Sequence, residues 1–575
     1  MNNFPHIDRL ARLRSLAFLV AGATLSVFTV TVYAQTAPEA GGLLNQIQRS
    51  FPAPRLPEVG PPAPEPKVEL LAPKGPTITV SSFTFGGNLL LPSSELAPLL
   101  ARYVGKPIAF EDLRNAAAEI SLYYRTKGYV ATVAVPKQEV KDGVVRLQVL
   151  ESRFGDVIFD PASDGRISPE LLKQIVRHAM PAGAPTDMRL LDRGLLIAGD
   201  LPGASVTGGL AAGGEEGRSD LILLSRQTPL TQVSLTADNS GSRSTGEYRG
   251  LASASLSSPW GQGEQCSVDL LKSEGARYGK AGFALPVGYE GGKLAASFSR
   301  MDYEIVAGDF VAANLYGHSV TWGLDYSKPL ARSRVFNVYF KSGYEAKGFL
   351  NRGNGATTSD YDVRVLSAGF SANVYDGLLG GGVNNAQLTW SVGDLDLAGS
   401  PNQAAVAAST KAEGRFQKVR MTVSRTQNVV TDLTLVASVD GQVASKNLDS
   451  SEKLFAGGAS AVRAYPTSEG SGDAGLVASL EARWQLAARW QATVFVDHAS
   501  LKVNADNAIA GAAAHNRVAY DGAGLGLSWV GPADSVWRLV WSRRLGDNPQ
   551  PKPNGADQDG TLRLDRFWMS VGVNF

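Results

Sequence analysis

The chain has 575 residues, more than one ordinary domain holds, with a formal net charge of +1 and a mean hydropathy close to zero. No polybasic run points to nucleic acid, and a single cysteine, Cys266, excludes an intramolecular disulfide and any multi-cysteine metal site. The 62 glycines and neutral hydropathy suit strands that alternate apolar and polar residues, as in a membrane β-barrel.

At the N-terminus, Arg9, Arg12 and Arg14 precede the apolar run "SLAFLVAGATLSVFTVTVYA", which closes on Val32-Tyr33-Ala34 before Gln35. Charged start, apolar run and small-x-small end read as a secretory signal peptide over residues 1–34, in preference to a retained anchor. Residues 35–52 hold a short amphipathic segment with Leu43, Leu44 and Ile47 at helical spacing, although ahead of a proline-rich tether the residues alone favour a disordered leader. The proline density of residues 53–76 makes them an extended linker.

Residues 77–151 read as a compact β-α-α-β-β unit. "ITVSSFTFGGN" is a strand and turn, and "PSSELAPLLARYVG" a helix with Ser93 or Ser94 as its cap. "AFEDLRNAAAEISLYYRTKG" is a second helix stopped by Gly128, and "YVATVAVPKQEV" and "GVVRLQVLES" pair around Asp142-Gly143. Residues 152–228 repeat that order, so the chain carries an internal repeat of roughly seventy-five residues.

From residue 229 to Phe575 the helical period gives way to amphipathic strands. In "GLVASLEARW" Leu476, Ala478, Leu480, Ala482 and Trp484 share one face, and Val477, Ser479, Glu481 and Arg483 the other. In "RFWMSVGVNF" Phe567, Met569, Val571, Val573 and Phe575 face one way. Counting such segments gives roughly sixteen, the even number a single-chain outer-membrane barrel needs. Aromatics such as Trp322, Tyr339, Trp390, Trp484, Trp490 and Trp568 recur through the strands, the placement expected of outer girdles.

This arrangement resembles the two-partner secretion transporters of Gram-negative bacteria (the haemolysin-secretion/activation and filamentous-haemagglutinin transporter family), within the superfamily that includes the barrel-assembly insertase. "FEDLRNAAAEISLYYRTKGYVATVAVPKQEVKDGVVRLQVLE" is similar to the family's first POTRA (polypeptide-transport-associated) module, including the Gly128-Tyr129 break and the Pro136 hairpin. "LLDRGLLIAGDLPGASV" is similar to the second module, and "GGLLNQIQRSFPAP" to the plug helix and its linker. The fold class expected is therefore mainly β: a C-terminal 16-stranded antiparallel transmembrane β-barrel, residues 229–575, preceded by two periplasmic α/β POTRA modules and an N-terminal plug helix.

The stretch Val462-Arg463-Ala464-Tyr465 resembles the family's Val-Arg-Gly-Tyr loop motif, in an inward-folding loop expected over 447–475 between strands eleven and twelve. The resemblance implies that Arg463 meets an aspartate of the inner wall, matched here by Asp497 in "VFVDHAS". Val494 and Val496 alternate with Phe495 and Asp497, so valines towards lipid put Asp497 in the lumen. Ala464 stands where the family has glycine, which is strained if φ is positive and acceptable if only smallness is required. Glu481 and Arg483, on the lumen face, resemble the family's Glu-x-Arg after the loop, and either join the same charge network or only wet the pore.

His6, His178, His318, His498 and His515 are scattered without ligand spacing, and no lipase elbow or phosphate-binding loop occurs. No metal, cofactor or catalytic residue is expected, and the chain reads as a transporter and not an enzyme. The resemblance implies a secreted exoprotein (TpsA-type) with an N-terminal secretion domain as partner, outer-membrane lipid and lipopolysaccharide around the barrel, the barrel assembly machinery for insertion, and no nucleic acid. The rival readings are an insertase of the same superfamily and, more distantly, a passive porin. The location implied is the outer membrane, with the N-terminal modules in the periplasm.

Overall fold

A computed structural model describes residues 37–51, 56–62, 75–509, 512 and 515–575. The expected signal peptide (1–34), residues 35–36 and 52 of the plug segment and most of the linker expected over 53–76 lie outside the described residues.

In the first N-terminal unit the strand Ser82–Gly86 runs parallel to Val144–Glu151, which pairs antiparallel with Ala131–Ala134. The helix Phe110–Thr126 crosses this sheet on Leu113, Ala116, Ala117, Ile120 and Tyr124, a stripe at helical spacing that is buried throughout. The second unit repeats the topology: Arg153–Phe159 runs parallel to Arg218–Gln227, which pairs antiparallel with Ala204–Ala212, under the helices Pro169–Ala179 and Met188–Gly199.

Two local expectations change. Only Ser93–Leu96 is α-helical, and Ala97–Tyr103 continues as a 3₁₀ helix, because Pro98 has no N–H for the α-helical ladder. Pro92 precedes that turn, so neither Ser93 nor Ser94 caps it. The strand expected through Val140 stops at Ala134, just before Pro136.

The Gly128-Tyr129 break has a wider role than ending a helix. Gly128 has φ +92° and accepts a hydrogen bond from Met188 N, Tyr129 bridges Asp187, and Val130 N donates to Thr186 O. This corner is thus the joint between the two units.

Residues 231–574 form a closed barrel of sixteen antiparallel strands, the first at Thr231–Asp238 and the last at Asp565–Asn574. Every backbone group of a lipid-embedded strand needs a partner, and closure supplies one on both sides. The eighth strand, Ala356–Asp376, has 21 residues and at about 3.4 Å per residue overtops any bilayer. Leu480, Trp484, Val494, Val496, Phe567 and Met569 are exposed on the outside. Trp568 and Tyr339 depart from the girdle expectation, since both fall on the inner face. Trp568 is buried beside the inward loop, and the Tyr339 hydroxyl lies 3.3 Å from Asp200 of the second unit.

That second unit is docked on the barrel's lower rim. Arg332 donates to both oxygens of Asp200 at 2.8 and 2.9 Å, and Arg334 pairs with Asp192. Arg332 also donates to Asn337, whose amide donates to Pro57 O in the described part of the linker. Asn373 donates to the same carbonyl at 2.8 Å.

Replacing Gly128 by alanine puts a Cβ 2.6 Å from Arg189 Nε in a left-handed backbone. The expected cost is about 1.4 kcal/mol, read as roughly tenfold faster hydrogen exchange at the Val130 and Met188 amides.

Candidate functional site: the inward loop and the plug helix

The eleventh strand ends at Ala444 and the twelfth begins at Ala474, so the connecting loop covers 445–473, two residues earlier than expected. It closes on itself through the short pair Leu454–Phe455 with Ser471–Gly472, and Val462 N donates to Ala456 O. Val462, Ala464 and Tyr465 at its tip are fully buried, in a cluster with Ala499, Leu501 and Tyr520 of the wall.

Arg463 is held at every polar atom. Nε and Nη2 donate to the two oxygens of Asp497 at 2.8 and 2.7 Å, Nη1 donates to Glu481 Oε1 at 2.7 Å, and Nη2 also reaches Ser479 Oγ. The guanidinium lies 3.4 Å from the Phe495 ring centroid. Its backbone N–H donates to Asp497, and its carbonyl accepts from Ser542 Oγ and Trp568 Nε1. One residue therefore ties the loop to strands twelve, thirteen, fifteen and sixteen (Ala474–Ala487, Trp490–Lys502, Val536–Arg544 and Asp565–Asn574). Glu481 is fixed from its other oxygen by Arg483. Removing one member of such a buried set leaves an unpaired charge, at a cost of about 3–5 kcal/mol.

Ala464 has no positive φ, so its position requires smallness only. It lies against Gly522 of the fourteenth strand, where a Cβ would come within 2.7 Å of the Ala464 Cβ. The methyl gained in the loop is matched by a glycine in the wall.

A second clamp, absent from the sequence reading, holds the opposite side of the loop. Glu452 is nearly inaccessible and pairs with Lys347 at 2.8 Å and Lys418 at 2.6 Å, on the seventh and tenth strands. These residues are far apart in sequence, and only the barrel register brings them together. Trp568 was legible, because strict alternation between Phe567 and Met569 turns it inward.

The helix Ala40–Gln48 sits inside the upper barrel. Leu43, Leu44 and Ile47 pack in one buried cluster with Leu271, Met301 and Phe349 of the wall. Gly41 passes so close that a Cβ would stand 2.6 Å from Ser450 Oγ. Asn45 donates to Ser451 O and Lys453 O, on either side of Glu452, so helix and loop are one assembly. The helix ends are less well satisfied. Arg49 at the lower end lies over the Phe455 ring with Nε and Nη2 unpartnered, and burial draws it down to about 10. At the upper end, burial and the nearby Asp449 carboxylate push Glu39 up to about 7.

With this geometry in place, comparison with known proteins is decisive. Residues 217–518 match the model of the family described as haemolysin secretion/activation protein ShlB/FhaC/HecB, and residues 78–152 match the POTRA domain, ShlB-type. The chain belongs to the ShlB/FhaC/HecB family. It is 25% identical over 492 residues to the heme/hemopexin transporter protein HuxB of Haemophilus influenzae, covering 84% of each chain. It is 25% identical over 431 residues to the outer membrane transporter CdiB of Dickeya dadantii, covering 73% of this chain and 74% of that one. The solved structure of CdiB from Escherichia coli superposes with a TM-score of 0.67 at 20% identity, over 87% of this chain and 91% of that one. This ShlB-family chain is an outer-membrane transporter of two-partner secretion, with its POTRA modules in the periplasm, and the insertase reading is the less supported one.

Two outcomes follow from the packing and the charges. Gly522→Ala should unseat the loop tip and lower barrel stability by about 1–3 kcal/mol, and Ala464→Gly added to it should restore most of the loss, read by heat-modifiable gel mobility. For Glu39, the carboxyl raised to about 7 in the seated helix returns to its ordinary value near 4.5 once solvated. Seating is therefore favoured fully below pH 4.5 and the advantage is lost as pH rises through about 7. Single-channel open probability should rise at least about tenfold from pH 5 to pH 8, and Glu39→Gln should flatten the profile.

Proposed function

We propose that this transporter moves one large, unfolded exoprotein of TpsA type through the barrel lumen, and that the helix at Ala40–Gln48 and the Arg463 loop are its gate. The observation that carries the reading is the shared assembly. The helix that fills the upper lumen is bonded through Asn45 to the loop that Arg463 and Glu452 pin to opposite walls. Such an exoprotein is an adhesin, a haemolysin or a contact-dependent toxin, recognised by its N-terminal secretion domain.

Capture begins at the first POTRA module. The strand Ala131–Ala134 pairs on one side only, and beside it Phe110, Arg114, Leu122 and Arg125 line a groove of about 560 Å³. An extended chain added there gains main-chain hydrogen bonds with little sequence demand. The route from capture to gate runs through the lower rim, where Arg332 and Asn337 join Asp200 of the second module to the Pro57 carbonyl of the linker. Withdrawal of the linker draws the helix out. Its apolar face resists, while the unpartnered Arg49 and the Glu39–Asp449 repulsion at its two ends reduce the loss. Folding of the exoprotein outside pulls the chain through, and the protein performs no chemistry on it. The chain's own insertion relies on the barrel assembly machinery.

The test is secretion of the partner exoprotein by Arg463→Ala, Asp497→Ala and the charge-swapped pair, with assembly checked by heat-modifiable mobility. Both single changes should cut secretion at least about tenfold from an assembled barrel, and the swap should recover part of it. Normal secretion by all three would remove the Arg463 loop from the mechanism.

A further inference from the structure

The outer wall carries a feature that export does not use. Strand order places the sixteenth strand, Asp565–Asn574, beside the first, Thr231–Asp238, followed by the second, Arg249–Ser257, and the third, Gln265–Lys272. Across them Ala237 stands opposite both Gly250 and Val571, and Leu235 opposite both Ala252 and Val573. Ala237, Gly250 and Ala252 leave a floor between the taller Leu235, Leu270 and Val571, and the result is an apolar groove of about 640 Å³ on the lipid side. Leu235 and Leu270 are about half exposed there.

One end of the groove is basic. Lys272 stands opposite Gly250 on one side and Arg277 on the other, and both line the groove. Arg277 stands opposite Asp302, which pairs with Arg300. Among the described residues neither Lys272 nor Arg277 belongs to an ion pair; the exposed Glu274 and Glu304 stand near them at the hairpin end, and Lys272 and Arg277 are the two charged side chains that line the groove itself. Its height is fixed by the chain. The first strand leaves the periplasmic module and rises, so the end of the third strand is on the extracellular side. Two residues below Arg300, Phe298 packs on Trp322 at 4.5 Å, an aromatic pair of the kind that marks the membrane interface. The cations therefore stand at the headgroup level of the outer leaflet, directly above an apolar slot.

We infer that this groove is a binding site for a phosphorylated, acylated glycolipid of the outer leaflet, the lipid A class. An acyl chain fills the slot between Leu235, Leu270 and Val571, and a phosphate meets Lys272 and Arg277 in charge-assisted hydrogen bonds. A simple phospholipid supplies the chain and one phosphate, but the outer leaflet facing these cations is the glycolipid's side of the membrane. The site also lies along the shortest ladder of the barrel, where the first and last strands pair over only five residues, so the bound lipid splints that seam.

The test uses the purified full-length chain in detergent, titrated with bis-phosphorylated lipid A and followed by thermal unfolding and native mass spectrometry. Lipid A should raise the unfolding temperature and remain bound. Lys272→Ser with Arg277→Ser should weaken binding at least about tenfold. Gly250→Leu should do the same by filling the slot, and it should fold, because no atom lies within 4 Å of a Cβ built there. Arg364→Ser, on an exposed ion pair of the eighth strand, should change nothing. Dephosphorylated lipid A and inorganic phosphate, each lacking half of the ligand, should bind far more weakly. Equal binding by the double variant, by phosphatidylglycerol or by free phosphate would overturn the assignment, as would a lipid A titration without effect.

Discussion

A closed barrel of sixteen strands encloses more space than its own side chains fill, and the packing of the lumen depends on one guanidinium. Arg463 turns what sequence alone makes a flexible glycine- and serine-rich loop into part of the wall. It reaches carboxylates on two strands, an aromatic face on one of them, and, through its carbonyl, a hydroxyl and an indole on two more. The desolvation of so many polar groups is offset only when all are paired together, which makes the arrangement all-or-none. Glu452 repeats the logic with opposite sign across the lumen, one carboxylate between two lysines. The plug helix has no ion pair of its own among the described residues. It rests on the loop and on apolar contact.

This division suits the gate proposed above. The strong, geometrically demanding contacts hold the loop, and the weaker, slippery ones hold the helix. Apolar burial has no preferred direction, so a helix seated by Leu43, Leu44 and Ile47 loses its contacts gradually as it slides. In the proposed gate its badly solvated ends lower the energy of leaving without weakening the fit of the middle.

Much of this could be read from the residues. Period-two alternation oriented Val494, Phe495, Val496 and Asp497 correctly, and together with the family motif it put Arg463 beside Asp497. The same alternation turned Trp568 inward, although counting aromatics as girdle members had placed it outside. Other features were not legible. Lys347, Lys418 and Glu452 meet because of barrel register, a property of sixteen strands together that no local pattern encodes. Ala464 was ambiguous until the wall opposite it proved to be Gly522. The 3₁₀ segment at Ala97–Tyr103 was open to prediction from Pro98, whose missing N–H outweighs the helical spacing of Leu96 and Leu100.

The direction in which the plug helix lies has a consequence for the order of events. The residues just before it, Ala37 to Glu39, border a cavity among the extracellular loops, and its linker reaches Pro57 at the periplasmic rim. The helix thus hangs from below, with Ala40 uppermost and Gln48 lowermost. In the gate proposed above it is drawn back the way the cargo comes. On that reading the channel is a single-track road with traffic in two directions, and clearing it comes before the first segment of cargo enters.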